Sequence, residues 1–424
     1  MLLILFLINR FFVRQKTKTM KFNPADNIQD LQYFGEFGGV NPSISDSSTY
    51  TFISAKTMLD TFEGNTDGCH LYARHTTPSN LYLGAALAAM EGTETADVAA
   101  SGMGAITPVL LQLVGAGEHI VSSRTIYGGT YAFLKNFTPR LGITTTFVDI
   151  TKLEVVEAAI TAKTKVLYCE SVSNPLLEVA DIKGLAILAK KYHLKLVVDN
   201  TFSPLSISPA KLGADIVCHS LTKFINGSSD TVGGVVCGTQ EFINDLRSVH
   251  DGASMLLGAT LDSLRASSVL KNMRTLHIRM KQHSLNASFL ANKFEADGLK
   301  TVYPGLQSHP SHELFTSMMN TEYGFGGMLT IDAGSLEKAN ELMELMQQKN
   351  IGYLAVSLGF YKTLFSAPGS STSSEISEDE QKEMGLSDGL IRFSIGLDND
   401  ISRTYELMKG CMKKVGILQV DRNN

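Results

Sequence analysis

The stretch LVVDNTFSPLSISPAKLGADIVCHSLTKF, residues 196–224, decides the reading of the whole chain. Residues 196–198 form an apolar run of the kind that makes a strand buried on both faces of a parallel sheet. Asp199 follows at the carboxyl end of that run, where open α/β sheets place their ligands. Residues 215–218 read as a second such strand, which delivers Ser220, Thr222 and Lys223 to the same rim. Strand-like runs recur at 96–100, 119–122, 144–148 and 165–169, between helical patterns at 105–114, 153–160 and 182–192. This alternation predicts an α/β fold with a mostly parallel sheet covered on both faces. Residues 231–237 read as a last, glycine-studded strand.

From 261 to 294 the pattern is one long amphipathic helix, and the boundary to a carboxyl-terminal unit falls within it. Strands at 328–331, 353–356 and 390–395 and helices at 336–347 and 402–414 predict a small α+β domain, with a polar loop at 366–383. The organisation expected is an extended arm over 20–75, a large domain over 76–274 and a small domain over 275–424. The apolar run 1–8 is too short to span a bilayer, which takes about 20 residues. Its basic residues come after the run and no small-residue cleavage site follows, so it does not read as a secretion signal. Residues 1–19 read as an extended or mis-called start, with an interfacial anchor as the other reading.

With 424 residues, 44% of them hydrophobic, the chain can bury a large core. A net charge of -5 and a pI near 6.1 leave no basic footprint for nucleic acid and favour small-molecule partners. Cys69, Cys169, Cys218, Cys237 and Cys411 are scattered without a CxxC pair, which predicts thiols in a reducing compartment and neither a disulfide framework nor a metal site.

An aspartate and a lysine at one sheet rim suit pyridoxal 5'-phosphate. The amine of Lys223 would condense with the cofactor aldehyde, and the Asp199 carboxylate would keep the pyridine nitrogen protonated. The hydroxyls of Ser220 and Thr222 would bind phosphate. SGMGAI, residues 101–106, reads as a glycine turn from strand into helix, where backbone amides attract phosphate; an ordinary tight turn is the alternative. Arg392 sits in an apolar strand pattern, where a buried guanidinium awaits an anion or an internal salt bridge.

The segments VVDNTF (197–202) and SLTKF (220–224) resemble the trans-sulfuration family of pyridoxal phosphate enzymes, and the resemblance extends over nearly the whole chain. Within that family GFGGMLTID (324–332), AVSLGFYKTLFSAPGSSTSSE (355–375) and SDGLIRFSIGL (387–397) are most similar to the plant-type methionine γ-lyases. The resemblance implies pyridoxal phosphate fold type I, the aspartate aminotransferase-like fold. It implies that Gly102 and Met103 contact the cofactor and that Tyr127 lies against its ring and moves protons. Asn174 would sit near the cofactor's phenolic oxygen and the substrate carboxylate, which Arg392 and Ser357 would bind. LYARHTTPSN (71–80) is similar to the family's YxRxxNPT motif at Tyr72 and Arg74, which implies that the arm reaches a neighbouring subunit's phosphate. Glu170 is not counted among these site residues.

The implied function is γ-elimination of L-methionine to methanethiol, 2-oxobutyrate and ammonia in a cytoplasmic homotetramer built from dimers with shared active sites, without nucleic acid or membrane partners. Cystathionine γ-synthase, cystathionine γ-lyase and O-acetylhomoserine sulfhydrylase activities use the same residues. Two positions bear on the choice. Gly129 stands where bacterial methionine lyases carry cysteine, and Val356 stands where members that handle cystathionine carry a glutamate that pairs with the distal ammonium. A protein that keeps the fold for binding without chemistry is the remaining alternative. The joint presence of Lys223, Asp199, Tyr127 and Arg392 argues against it.

Overall fold

Apolar runs too short for helices can bury both of their faces only inside a sheet covered by helices. In the computed structural model they form a seven-stranded sheet: β1 (Thr95–Ala99), β2 (His119–Ser123), β3 (Thr144–Val148), β4 (Thr164–Glu170), β5 (Lys195–Asp199), β6 (Ile216–Ser220) and β7 (Gly234–Gly238). Their order is β1-β7-β6-β5-β4-β2-β3. The pairs from β6 across to β3 are parallel, whereas β7 runs antiparallel to both β6 and β1. The structure describes residues 22–33, 38–66, 68–369, 379, 381 and 384–419. The start at 1–19 and most of the polar loop at 366–383 lie outside them.

Alternate residues of each strand feed opposite cores. Leu196 and Val198 face one layer with Leu83, Leu87 and Leu185 from the helices Pro78–Glu91 and Ile182–Lys191. Val197 faces the other with Ile106, Val109 and Leu110 from the helix Gly102–Leu113. The arm is less extended than its composition predicts. Asn23 Oδ1 accepts from the Ala25 N–H at 3.0 Å, and Pro24 opens the short helix Pro24–Gln29. Ser54 Oγ likewise caps the helix Ala55–Phe62. A side-chain cap can start a helix too short to show periodicity.

The helix expected over 261–294 is two helices, Ser263–Met273 and Leu276–Ala296. The Asn272 carbonyl near the break accepts from Arg279 Nη2 at 3.1 Å and from Thr275 Oγ1 at 3.2 Å. The two side chains take over a carbonyl that an unbroken helix would use in its own ladder. Past the break, Leu290 and Phe294 enter a separate core with Leu342, Met346, Phe393 and Met408. That core sits on a five-stranded sheet of β8 (Thr301–Val302), β9 (Met328–Asp332), β10 (Gly352–Leu354), β11 (Thr363–Ser366) and β12 (Leu390–Ser394), ordered β10-β11-β12-β9-β8. β10 ends two residues before the predicted strand does, so Val356 is 62% exposed. β7 begins at Gly234, after the predicted start at 231. β11 was not expected, because four residues are too few to show an alternation.

Behind the sheet, His219 Nε2 lies 2.7 Å from Glu91 Oε1, with both side chains buried. Removing one member of such a pair leaves the other desolvated and alone. Glu91→Ala is therefore expected to destabilise the fold by about 1–3 kcal/mol, the cost of a buried polar group left without its partner, seen as a lower urea midpoint at unchanged slope. An unchanged midpoint would mean that the pair contributes nothing.

Candidate active site

Three neighbouring strands end at the site: β4 at Glu170, β5 at Asp199 and β6 at Ser220. Glu170 and Asp199 are partners in the β4–β5 register. Asp199 Oδ1 accepts from the Thr201 N–H at 2.9 Å and from Thr201 Oγ1 at 2.5 Å. This is the local turn an aspartate makes with the residue two positions on. Thr201 Oγ1 also accepts from the Ser220 N–H at 2.8 Å, which ties the end of β5 to the end of β6. Burial pushes the Asp199 carboxyl up, opposed by the Thr201 donors and by His219. Its Oδ2 has no hydrogen-bond partner among the described residues.

Lys223 lies in the turn after β6, and its Nζ donates to Ser357 Oγ at 3.2 Å. Burial first, and the Arg392 charge second, lower its amine from 10.5 to about 8. The turn is gripped from two sides. Arg279 donates to the carbonyls of Phe224 and Ile225, the second at 2.8 Å. Gly359, at φ +79°, lies so close that a Cβ there would come within 2.5 Å of the Phe224 nitrogen. Only glycine takes both that conformation and that approach.

A cradle opens where the helix Gly102–Leu113 begins. Ser101 Oγ accepts from the Gly104 N–H at 2.9 Å, and a Cβ on Gly102 would sit 2.9 Å from Ser220 Cβ and 3.2 Å from its Oγ. The missing side chain lets the first turn of the helix pack directly against Ser220, which sets that hydroxyl beside a helix amino terminus, the kind of place that suits a phosphate. Thr222 Oγ1 accepts from the Gly233 N–H at 3.1 Å, and Met103 Sδ accepts from Thr130 Oγ1 at 3.6 Å.

On the opposite side the Tyr127 N–H donates to Glu170 Oε1 at 2.7 Å, and the Asn174 N–H donates to Glu170 Oε2 at 2.9 Å. Burial and then Asp199 push the Glu170 carboxyl well above the usual range, against those donors and Arg392. Arg392, 2% exposed on β12, donates from Nη1 to Asn174 Oδ1 at 2.8 Å and from Nη2 to Ser366 Oγ at 3.4 Å. Burial lowers its guanidinium to about 10 and Glu170 acts against that, but no internal salt bridge to Arg392 occurs among the described residues.

The structure thus gathers Lys223, Asp199, Ser220, Thr222, Gly102, Met103, Tyr127, Asn174, Arg392 and Ser357 around one rim, with Val356 exposed beside Ser357. Tyr72 and Arg74 stand apart. The Arg74 guanidinium lies 5.7 Å from the centre of the Tyr72 ring, and its carbonyl accepts from Thr260 Oγ1 at 2.9 Å. Thr201 and Ser366 are not among the residues the sequence singles out, and Glu170, set aside there, bonds to both Tyr127 and Asn174. Thr201 was visible as a hydroxyl two residues after the aspartate; Ser366 is paired with Arg392 only through the β11–β12 register.

These features fit pyridoxal phosphate: a buried carboxyl with a spare oxygen, an amine with a depressed pKa, and an amide cradle that a side chain would fill. Bound there, the cofactor supplies an aldehyde for the amine and a protonated ring that draws electrons away from a substrate. The fold and rim define the class, and the chain belongs to the Cys/Met metabolism PLP-dependent enzyme family, whose model matches residues 27–403. It is a pyridoxal phosphate-dependent lyase of that family.

Among its relatives is methionine gamma-lyase from Arabidopsis thaliana, 45% identical over 88% of this chain and 86% of the relative. Cystathionine gamma-lyase from Bacillus subtilis is 38% identical over 77% of this chain and 85% of the relative. A solved structure from Campylobacter jejuni that carries N'-pyridoxyl-lysine-5'-monophosphate superposes with a TM-score of 0.85 at 28% identity, covering 92% of this chain and all of that one.

The lowered amine gives a pH prediction. Because the folded value of about 8 lies below the ordinary 10.5, the unfolded chain binds more protons across that window. The contribution of Lys223 to the stability of the cofactor-free protein therefore grows as pH rises through it. Attachment of pyridoxal phosphate, followed by visible absorbance, is expected to quicken with pH and level off above about 8. Arg392→Met is expected to raise that midpoint. A midpoint at the ordinary lysine value in the unmodified protein would contradict the assignment.

Proposed function

We propose that this enzyme eliminates the γ-substituent of L-methionine, taking up water and releasing methanethiol, 2-oxobutyrate and ammonia. The observation that carries the choice of substrate is Val356, an exposed apolar side chain next to Ser357, whose hydroxyl accepts from the Lys223 amine. A thioether and methyl lose nothing against valine, whereas the distal ammonium of cystathionine would find no counter-charge there. The similarity to the Arabidopsis methionine gamma-lyase supports the same reading. The second reading, supported by the similarity to the Bacillus cystathionine gamma-lyase, is activity on cystathionine. Synthase and O-acetylhomoserine sulfhydrylase chemistry would employ the same residues.

In this reading Arg392, Asn174 and Ser357 bind the substrate α-carboxylate. Lys223 Nζ, lowered by burial to about 8 and so largely uncharged above that pH, takes the α-proton, gives it up again, and then takes a β-proton. The Tyr127 hydroxyl delivers a proton to the departing sulfur. Asp199 Oδ2 holds the proton of the pyridine nitrogen. The amides at Gly102 and Met103 and the hydroxyls of Ser220 and Thr222 hold the phosphate. Tyr72 and Arg74 complete the phosphate site of a neighbouring subunit in a cytoplasmic homotetramer, and each chain divides into the arm over 20–75 and domains over 76–274 and 275–424. Incubation with methionine, with cystathionine, and with O-acetylhomoserine plus sulfide, followed by identification of products, tests the reaction directly.

Two predictions separate the parts of this proposal. Val356→Glu is expected to lower kcat/KM for methionine and raise it for cystathionine, a change in discrimination on the order of 1–3 kcal/mol; an unchanged preference would refute the substrate assignment. Mixing inactive Arg74→Ala with inactive Lys223→Ala chains under exchange conditions is expected to restore activity through hybrid sites. No recovery despite demonstrated exchange would place the whole site within one chain.

A further inference from the structure

Glu170 has no role in the reaction described above, yet both of its carboxyl oxygens are engaged. It is the last residue of β4, 6% exposed. Oε1 accepts from the Tyr127 N–H at 2.7 Å and Oε2 from the Asn174 N–H at 2.9 Å. Tyr127 and Asn174 lie on separate loops, after β2 and after β4, and no other hydrogen bond joins them among the described residues. Asn174 Oδ1 in turn accepts from Arg392 Nη1 at 2.8 Å, which carries the connection across to the five-stranded sheet.

Two donors facing two different oxygens demand a group with two acceptors. A carboxylate is the only side chain of this length that offers them, since the amide of glutamine presents one acceptor and one donor. Aspartate keeps two carboxyl oxygens but is one methylene shorter, so it cannot reach both N–H groups from the same backbone position. The Asn174 side chain can meet Arg392 only while its own backbone is held.

We propose that Glu170 is the positioning residue of the substrate carboxylate site: it fixes Asn174, and through Asn174 the guanidinium of Arg392, while anchoring the loop that carries Tyr127. The inference rests on the reading of Arg392 and Asn174 as carboxylate ligands given above. It predicts that Glu170 governs affinity for the α-carboxylate and not for the amine or the side chain of the substrate.

The test uses the holoenzyme and two ligands that carry no γ-leaving group, norleucine and pentylamine, the second being the first without its carboxylate. Binding is measured by calorimetry. Glu170→Asp is expected to weaken norleucine about tenfold or more, as loss of a charge-assisted hydrogen bond does, and to leave pentylamine within about twofold. In an Asn174→Ala background the same substitution is expected to have no further effect on norleucine, because the two residues act in series. Equal weakening of both ligands, or of neither, overturns the proposal, as does additivity with Asn174→Ala. Should Glu170→Asp not fold, the cycle is run with Glu170→Gln, where coupling to Asn174→Ala below about twofold overturns it. Unmodified enzyme that binds norleucine no more tightly than pentylamine overturns the carboxylate site itself, which separates the two failures.

Discussion

The hydroxyl of Thr201 is the joint on which the site depends. It donates to Asp199 Oδ1 at 2.5 Å and accepts from the Ser220 N–H at 2.8 Å. One side chain therefore ties the turn after the acid to the end of the strand that leads to the amine. It also leaves the other Asp199 oxygen free to face a ligand. A parallel ladder fixes strands at a constant spacing but not the turns beyond them. The turn after β5 needs this extra bond to present its aspartate in one orientation.

Around that joint the protein buries four ionisable side chains, Asp199, Glu170, Lys223 and Arg392. Burial works against the charge on each, pushing the carboxyls up and the amine and guanidinium down. Among the described residues Arg392 makes hydrogen bonds only to neutral partners, Asn174 and Ser366. Such groups cost stability in the empty protein, and a ligand of matching charge relieves that cost on binding. Helix amides, two carboxyls and two cations together suit a ligand that carries phosphate, a ring nitrogen and a carboxylate-bearing amine.

Lys223 lies at the seam between two separate cores. The turn that carries it is held by Arg279 from the helix bridging those cores and by Gly359 from the segment between β10 and β11. His283 adds a further link across the seam, with Nδ1 2.6 Å from the Ile395 carbonyl and its ring packed edge-on against Phe224. Any relative movement of the two sheets would be felt at the amine, since its contacts come from both. Packing of this kind transmits small shifts because the interior has no slack to absorb them.

The sequence by itself determined the parts that depend on neighbours along the chain. The apolar runs at 119–122, 144–148 and 165–169 became β2, β3 and β4, because burial on both faces leaves a continuous apolar signal. Asp199 and Lys223 were legible as the end of one run and the turn after the next. The break between Met273 and Leu276 was not legible, because Arg279 captures a carbonyl seven residues earlier only when the fold brings the Lys223 turn beside it. Only the tertiary structure decided that Glu170 holds two separate loops and that Ser366 faces Arg392, since the first needs the segments after β2 and β4 brought together and the second arises from strand register. Local patterns state which faces must be buried, whereas the pairing of buried polar groups is a property of three-dimensional closure.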